Sequence, residues 1–351
     1  MAAMWRASLR DLQWRRRRFL IGIGATALVL AMTLLMTGVS DALHQQDRRI
    51  IASFDTDAWF VAANGSGPFT TRKPIAASSL DSIADQPGVT AASPVILAGA
   101  TILTDERKDV NVIAIPPGGL GEPEVNDGRA VEEDGEVVVD TNLGIDVGEQ
   151  VTVNGRDMTV VGRADGVTYF FGTPTVFMTL SDAQDQLFGG QPLAMAIATQ
   201  GDPEDTPAGL TRMSNAEARA DLARPTASGD QTIQLINVLL WVVAAGIIGS
   251  IVYLSALERT RDFAVMKATG VANRSLLSGL IIQAIVLSVG AAVVAVFLER
   301  LLAPTFPFAV NVTPLAYGAL LGVAVLIGLV ASMAGLRRAV RIDPALAFGG
   351  S

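Results

Sequence analysis

The chain has 351 residues, half of them apolar, with 17% charged residues and a mean hydropathy of +0.42; a soluble chain of this length carries nearer a quarter charged residues. Its formal charge of −8, with the bases set beside apolar runs rather than along a folded stripe, argues against a nucleic-acid partner. With no cysteine there are no disulfides and no thiolate metal site.

Residues 1–18 hold six arginines against one acid, Asp11. Trp5, Leu9 and Leu12 recur there at i, i+4 and i+7, with Arg6, Arg10 and Gln13 between them. That spacing predicts a short amphipathic helix in the inner membrane interface. Phe19 to Val39 follows as 21 uncharged residues, about 32 Å of helix at ~1.5 Å per residue, and the first span is set at 19–43. A cleaved signal peptide is disfavoured, because secretory apolar regions run only about 7–15 residues. Gly22, Gly24 and Ala27 match a loose dinucleotide fingerprint, but no strand precedes them, so they read as close helix contacts.

Residues 44–232 carry 28 acids against 12 Lys and Arg, a net −16, and read as a mixed α/β domain. Val137–Asp140, Gln150–Val153 and Met158–Val161 are β-branched strand candidates, and Asn154-Gly155 predicts a two-residue hairpin turn. Ser78 to Asp85 and Ser181 to Leu187 predict short helices begun by serine caps. Pro116–Gly121 and Gly201–Gly209 read as loops. His44 is the only histidine, so an ordinary zinc site is excluded. Neither a Ser-His-Asp arrangement nor a paired-carboxylate site can be built, which disfavours a hydrolase.

Three further spans follow at 233–257, 276–302 and 314–336, separated by a segment at 258–275 and an uncharged loop at 303–313. The tail is 337–351. Arginines before the first span, four bases in 258–275 and Arg337, Arg338 and Arg341 in the tail alternate with uncharged or acidic segments. By the positive-inside rule both termini and 258–275 are cytoplasmic, and 44–232 and 303–313 lie outside. The expected fold is therefore membrane α-helical, with four transmembrane helices and an α+β extracytoplasmic domain between the first and second. Gly246, Gly249 and Ser250, together with Ala245, Gly318 and Gly322, give small-residue spacings that suit either contacts within one chain or a dimer interface.

No phosphate-cradling Gly-x-x-x-x-Gly-Lys-Ser/Thr occurs, so any nucleotide drive belongs to a separate chain. The stretch Glu258 to Ser275 mixes Phe263, Val265 and Met266 with Arg259, Arg261, Asp262 and Lys267, a short helix apolar on one side that Gly270 can terminate. A plain basic loop is the alternative.

Glu258-Arg-x-Arg-Asp-Phe-Ala-Val-x-Lys-Ala-x-Gly270 resembles the signature after the second span of MacB/FtsX/LolC-type ABC transporter permeases. The tail Arg337 to Phe348 resembles that family's ending, and Gly148 to Gly162 is similar to strands of its extracytoplasmic domain. Within the family the chain looks nearest to mycobacterial permeases labelled glutamine transporters. The resemblance implies a non-catalytic subunit that binds no cofactor, with ATP and Mg on a cytoplasmic ABC ATPase present in two copies. It also implies a second permease copy and conformational work, in export or mechanotransmission, on the extracytoplasmic side, where a protein partner can bind. An FtsX-like regulator that moves no substrate is the alternative. Glu258, Arg259, Arg261, Phe263, Val265, Met266, Lys267 and Gly270 would then contact the ATPase, while Trp5, Leu9 and Leu12 would brace the first span.

Overall fold

The computed structural model describes residues 16–104, 106–165, 168–169, 172–201, 203, 205–258, 273–305, 310 and 312–340. The chain divides into two compact units, Met1–Ala42 with Asp230–Ser351, and Leu43–Gly229.

Unit Leu43–Gly229 is the α+β domain. Its elements are β1 (Ala58–Ala62), β2 (Ile75–Ala76), α2 (Ser79–Ala84), β3 (Val89–Leu103), β4 (Arg107–Ile115), β5 (Val125–Gly128), β6 (Glu136–Asp140), β7 (Gln150–Val153), β8 (Arg156–Ala164), β9 (Thr168–Tyr169), β10 (Thr173–Thr179), α3 (Leu180–Phe188), β11 (Leu193–Ala194), β12 (Ala196–Gly201), β13 (Leu210–Ser214) and α4 (Asn215–Leu222). The last turns of helix α1 (Arg16–Ser53) also belong to it.

The main sheet runs β13-β1-β12-β3-β4-β10-β6-β8-β5, and β7 bonds both β3 and β8. That double pairing closes β3-β4-β10-β6-β8-β7 into a ring, which leaves those strands no free edge on the way round. Alternation along each strand then sorts the side chains. Ile96, Val112, Val137, Val139, Val160, Val176 and Met178 fill the inside of the ring, with Ala183 of α3 against them. Leu97, Ile113, Val138 and Phe177 point outward and pack with Trp59, Ala198, Leu222 and the α1 residues Ile50, Ile51 and Phe54.

The β7–β8 hairpin turns at Asn154 and Gly155, whose φ values of 49° and 85° suit the turn expected of that dipeptide. The expected serine caps do not form. Ser78 lies in helical conformation without a side-chain cap bond. The second helix begins one residue before Ser181, capped by Thr179, which accepts from the Asp182 N–H. Thr179 closes an extended strand and so already has the non-helical backbone a cap requires.

Before β6, Arg129 donates to both oxygens of Glu136, one bond at 2.8 Å, and the N–H groups of Glu132 and Glu133 donate to the same carboxylate. The bonds from Arg129, then those backbone donors, hold the Glu136 carboxyl at about 2, below its usual value. Because the folded value is depressed, this stabilisation is complete above the ordinary glutamate range and is lost as pH falls towards 2. Glu136→Gln is expected to lower the urea midpoint at pH 7 and to match the wild type near pH 2. A difference of equal size at both pH values would contradict the ion pair.

Unit Met1–Ala42 with Asp230–Ser351 is helical: the first part of α1, then α5 (Ala227–Glu258), α6 (Asn273–Leu302) and α7 (Pro314–Val340). Among the described residues three helical stretches are long and apolar enough to cross a membrane, Phe19–Ser53, Asn215–Ser255 and Ser278–Thr305; Pro314–Val330 is a shorter apolar one. Ala27, Ala31, Ala244, Ala291, Ala292, Ala295 and Ala324 dominate their buried contacts, beside Leu30, Leu34 and Leu320. Small side chains let helices approach closely where lipid removes the hydrophobic drive.

Candidate functional site

Polar groups join the helices in pairs. Gln283 of α6 donates to Ser255 of α5 at 2.7 Å, both buried. Ser40 of α1 donates to Asp230 of α5 at 2.6 Å, and Thr313 donates to Asp41 at 3.1 Å. Tyr317 of α7 donates to Glu299 of α6 at 3.0 Å. Glu299 reads in the sequence as the charge that closes the third span, yet it is 3% exposed. Its position beside a long apolar run hides this, because the tyrosine that satisfies it lies 18 residues further on.

Gly328 has a close polar partner on a neighbouring helix: a Cβ there would stand 2.7 Å from Ser288 Oγ and 3.2 Å from the Ala284 carbonyl oxygen. Gly22 packs on Ile251 of α5, whereas Gly24 meets nothing within 4 Å. The close-contact reading of this small-residue run therefore holds for Gly22 and fails for Gly24. Gly328→Leu should separate α6 from α7 and cost about 1–3 kcal/mol by overpacking. Gly322→Leu, where a Cβ meets open space, should be near neutral. Thermal inactivation in detergent compares the two, and equal loss would contradict the packing.

Gly246, Gly249 and Ser250 lie along one face of α5 with Leu235, Leu239, Val242 and Leu257. A Cβ on Gly246 or Gly249 meets nothing within 4 Å, and Ser250 is exposed. The apolar stretch of α5 is 17% buried, against 50% for α1 and 44% for α6. Contacts with the described residues thus do not account for these small residues, and neither do they for Gly318 and Gly322.

Glu258 is the exposed last residue of α5. Arg259, Arg261, Phe263, Val265, Met266, Lys267 and Gly270 lie outside the described residues, as do Trp5, Leu9 and Leu12. Among the described residues no group of three or more His, Cys, Asp or Glu is placed to hold a metal ion.

Apolar helices with a separate α+β domain define a membrane protein carrying a large extramembrane domain between its first two helices. The comparisons narrow this class. The family described as MacB-like periplasmic core domain matches residues 20–213, and that described as FtsX-like permease C-terminal matches residues 235–344. An uncharacterized ABC transporter permease of Mycobacterium tuberculosis is 45% identical over 98% of this chain and 99% of its own length. A second from the same organism is 41% identical over 98% and 99%. The crystal structure of the periplasmic region of MacB from Actinobacillus actinomycetemcomitans is similar at 14% identity and a TM-score of 0.36, covering 47% of this chain and 91% of that one. The chain belongs to the ABC transporter permease family, with a MacB-like periplasmic core domain and an FtsX-like permease C-terminal region.

Proposed function

We propose that this chain is the membrane subunit of an ABC transporter that turns ATP hydrolysis by a separate cytoplasmic ATPase into conformational work on the outer face, in export or mechanotransmission. Four spans cross the membrane with both termini inside. A short cytoplasmic helix over about Glu258 to Gly270 seats in a groove of the ATPase, with Phe263, Val265 and Met266 as the buried anchor. Arg259, Arg261 and Lys267 form the charged rim. ATP and Mg are held by two ATPase copies, not by this chain. A second permease copy covers the Gly246–Gly249–Ser250 face of α5.

The observation that carries this reading is family membership over nearly the whole chain. The continuity of α1 supports it: one helix supplies an apolar stretch from Phe19 and the core residues Ile50, Ile51 and Phe54 of the outer domain. The small-residue face of α5, left open by the described residues of its own chain, supports the second copy. The test is co-expression with the nucleotide-binding subunit, followed by purification in detergent. A complex of two permeases and two ATPases is expected, with hydrolysis stimulated above that of the ATPase alone. Permease that purifies without an ATPase, or leaves hydrolysis unchanged, would refute the proposal.

A further inference from the structure

Helix α1 continues well past its apolar run, and beyond that run it carries two adjacent bases, Arg48 and Arg49. Both are exposed, and neither makes a hydrogen bond or an ion pair with the described residues. Elsewhere in the same domain Arg129, Arg156, Arg163 and Arg224 are each paired with an acid. Lack of a partner alone is common at a surface. The position of these two is what distinguishes them.

At about 100° per residue, Arg48 and Arg49 fall on the side of α1 opposite Ile50, Ile51 and Phe54, which pack into the core of the outer domain. The nearby acids are engaged elsewhere. Asp47 is half-buried and lies within electrostatic reach of His44 and of Arg219 on α4. Asp41, two turns below Arg48, accepts from Thr313 at 3.1 Å. Height follows from the helix itself. The Cα of Arg48 stands about 14 Å beyond that of Val39 and about 7.5 Å beyond that of Leu43. A helical side chain leans back over the turn N-terminal to its own Cα, about 5 Å here. The two guanidinium groups therefore stand roughly 2–10 Å outside the apolar run, whichever of Val39 and Leu43 closes it. The headgroup layer of a bilayer fills the first ~5–8 Å beyond the hydrocarbon.

We infer that Arg48 and Arg49 form a binding surface for the phosphate of an anionic phospholipid, held against α1 where the helix leaves the membrane and enters its domain. The guanidinium fork matches two phosphate oxygens at once and is weakly hydrated, so it gives up little water to do so. Each base this close to an anionic surface adds about fivefold in affinity. The acid surplus in the rest of 44–232 repels such lipids, which confines the preference to this side of α1. Ile50, Ile51 and Phe54 seat the domain from the other side of the same turns, so a lipid bound here steadies that seat. The inference rests on α1 spanning a membrane and not on an ATPase, and it stands or falls apart from the proposed function.

The test places one bimane label at Gln45→Cys, a turn below the two arginines on the same side, in a chain with no other thiol. The full chain is reconstituted in phosphatidylcholine vesicles doped with phosphatidylglycerol or, in parallel, phosphatidylcholine, each carrying a nitroxide on its acyl chain near the glycerol. The label senses lipids beside this end of the span, so Arg15 to Arg18 at the other end do not contribute. Half-quenching is expected at a mole fraction of the glycerol lipid at least about tenfold below that of the choline lipid. Arg48→Gln combined with Arg49→Gln should remove the difference. Both sites are exposed and glutamine is a good helix former, so the fold is preserved. Arg107→Gln with Lys108→Gln, an exposed pair on β4, should leave the difference intact. Equal quenching by the two lipids, a preference that survives in the Arg48 and Arg49 variant, or one lost equally in the Arg107 and Lys108 variant would overturn the inference.

Discussion

Replacing Asp221 with alanine is expected to lower the unfolding free energy of the outer domain by about 3 kcal/mol. The carboxylate is 0% exposed at the end of α4 and accepts from the N–H groups of Phe69 and Thr70 at 2.9 and 3.0 Å and from the Thr70 hydroxyl. It therefore fastens the 67–71 turn, whose Phe69 ring lies 5.6 Å from Trp59 and 6.1 Å from Phe54. Removing the acceptor deletes the bonds to two partly buried backbone donors, and an unsatisfied donor costs about 1–3 kcal/mol. Gly67 allows this approach, because a Cβ there would overlap the Asp221 side chain. Asp221→Asn keeps one acceptor oxygen and should lose about half as much. Urea unfolding followed by tryptophan fluorescence measures both. An alanine variant within about 0.5 kcal/mol of the wild type, the range of ordinary surface changes, would show that the turn is held by other means.

If Met266 anchors the ATPase as proposed, Met266→Arg is expected to cut permease-stimulated ATP hydrolysis about thirtyfold or more in reconstituted vesicles, with membrane insertion intact. A central anchor in a desolvated pocket carries at least about 2 kcal/mol of binding, and every 1.4 kcal/mol is about tenfold in affinity. A guanidinium forced into that pocket adds the cost of burying an unpaired charge. Lys267→Ala should act differently. A rim charge changes association rate and salt dependence more than it changes final affinity. Stimulation that survives Met266→Arg but falls with Lys267→Ala would mean that charge, not apolar burial, seats the segment.

The membrane helices were legible because a span is an uninterrupted apolar run, and α1, α5 and α6 each contain one. Their ends were less so. α1 runs ten residues past residue 43 into the outer domain, and its charged residues Asp47, Arg48 and Arg49 there look like the start of a loop. Tertiary packing of Ile50, Ile51 and Phe54 keeps that segment helical where composition would end it. In the outer domain, β7, its turn and β8 announced themselves by alternation and Asn-Gly, while the closure of the ring rests on β7 bonding to β3, some fifty residues away. No local pattern encodes that pairing.

The arginine pair of α1 was half hidden. Arg48 and Arg49 are plain in sequence, but the side they share and their lack of a partner appear only once α1 is seen to continue past residue 43. A loop at that point would give the two bases no common side and no fixed height above the apolar run. The family signature at Glu258 to Gly270 is the opposite case, plain in sequence and, past Glu258, outside the described residues.

The chain has no cysteine of its own, so a single introduced thiol reports on one position alone. Thr269→Cys placed in the 258–275 segment, treated with a membrane-impermeant maleimide, tests the docking proposal most directly. Labelling is expected in inverted vesicles and not in intact cells, and it should be blocked when the ATPase subunit is bound. Labelling from the outside of intact cells, or labelling unaffected by bound ATPase, would contradict it.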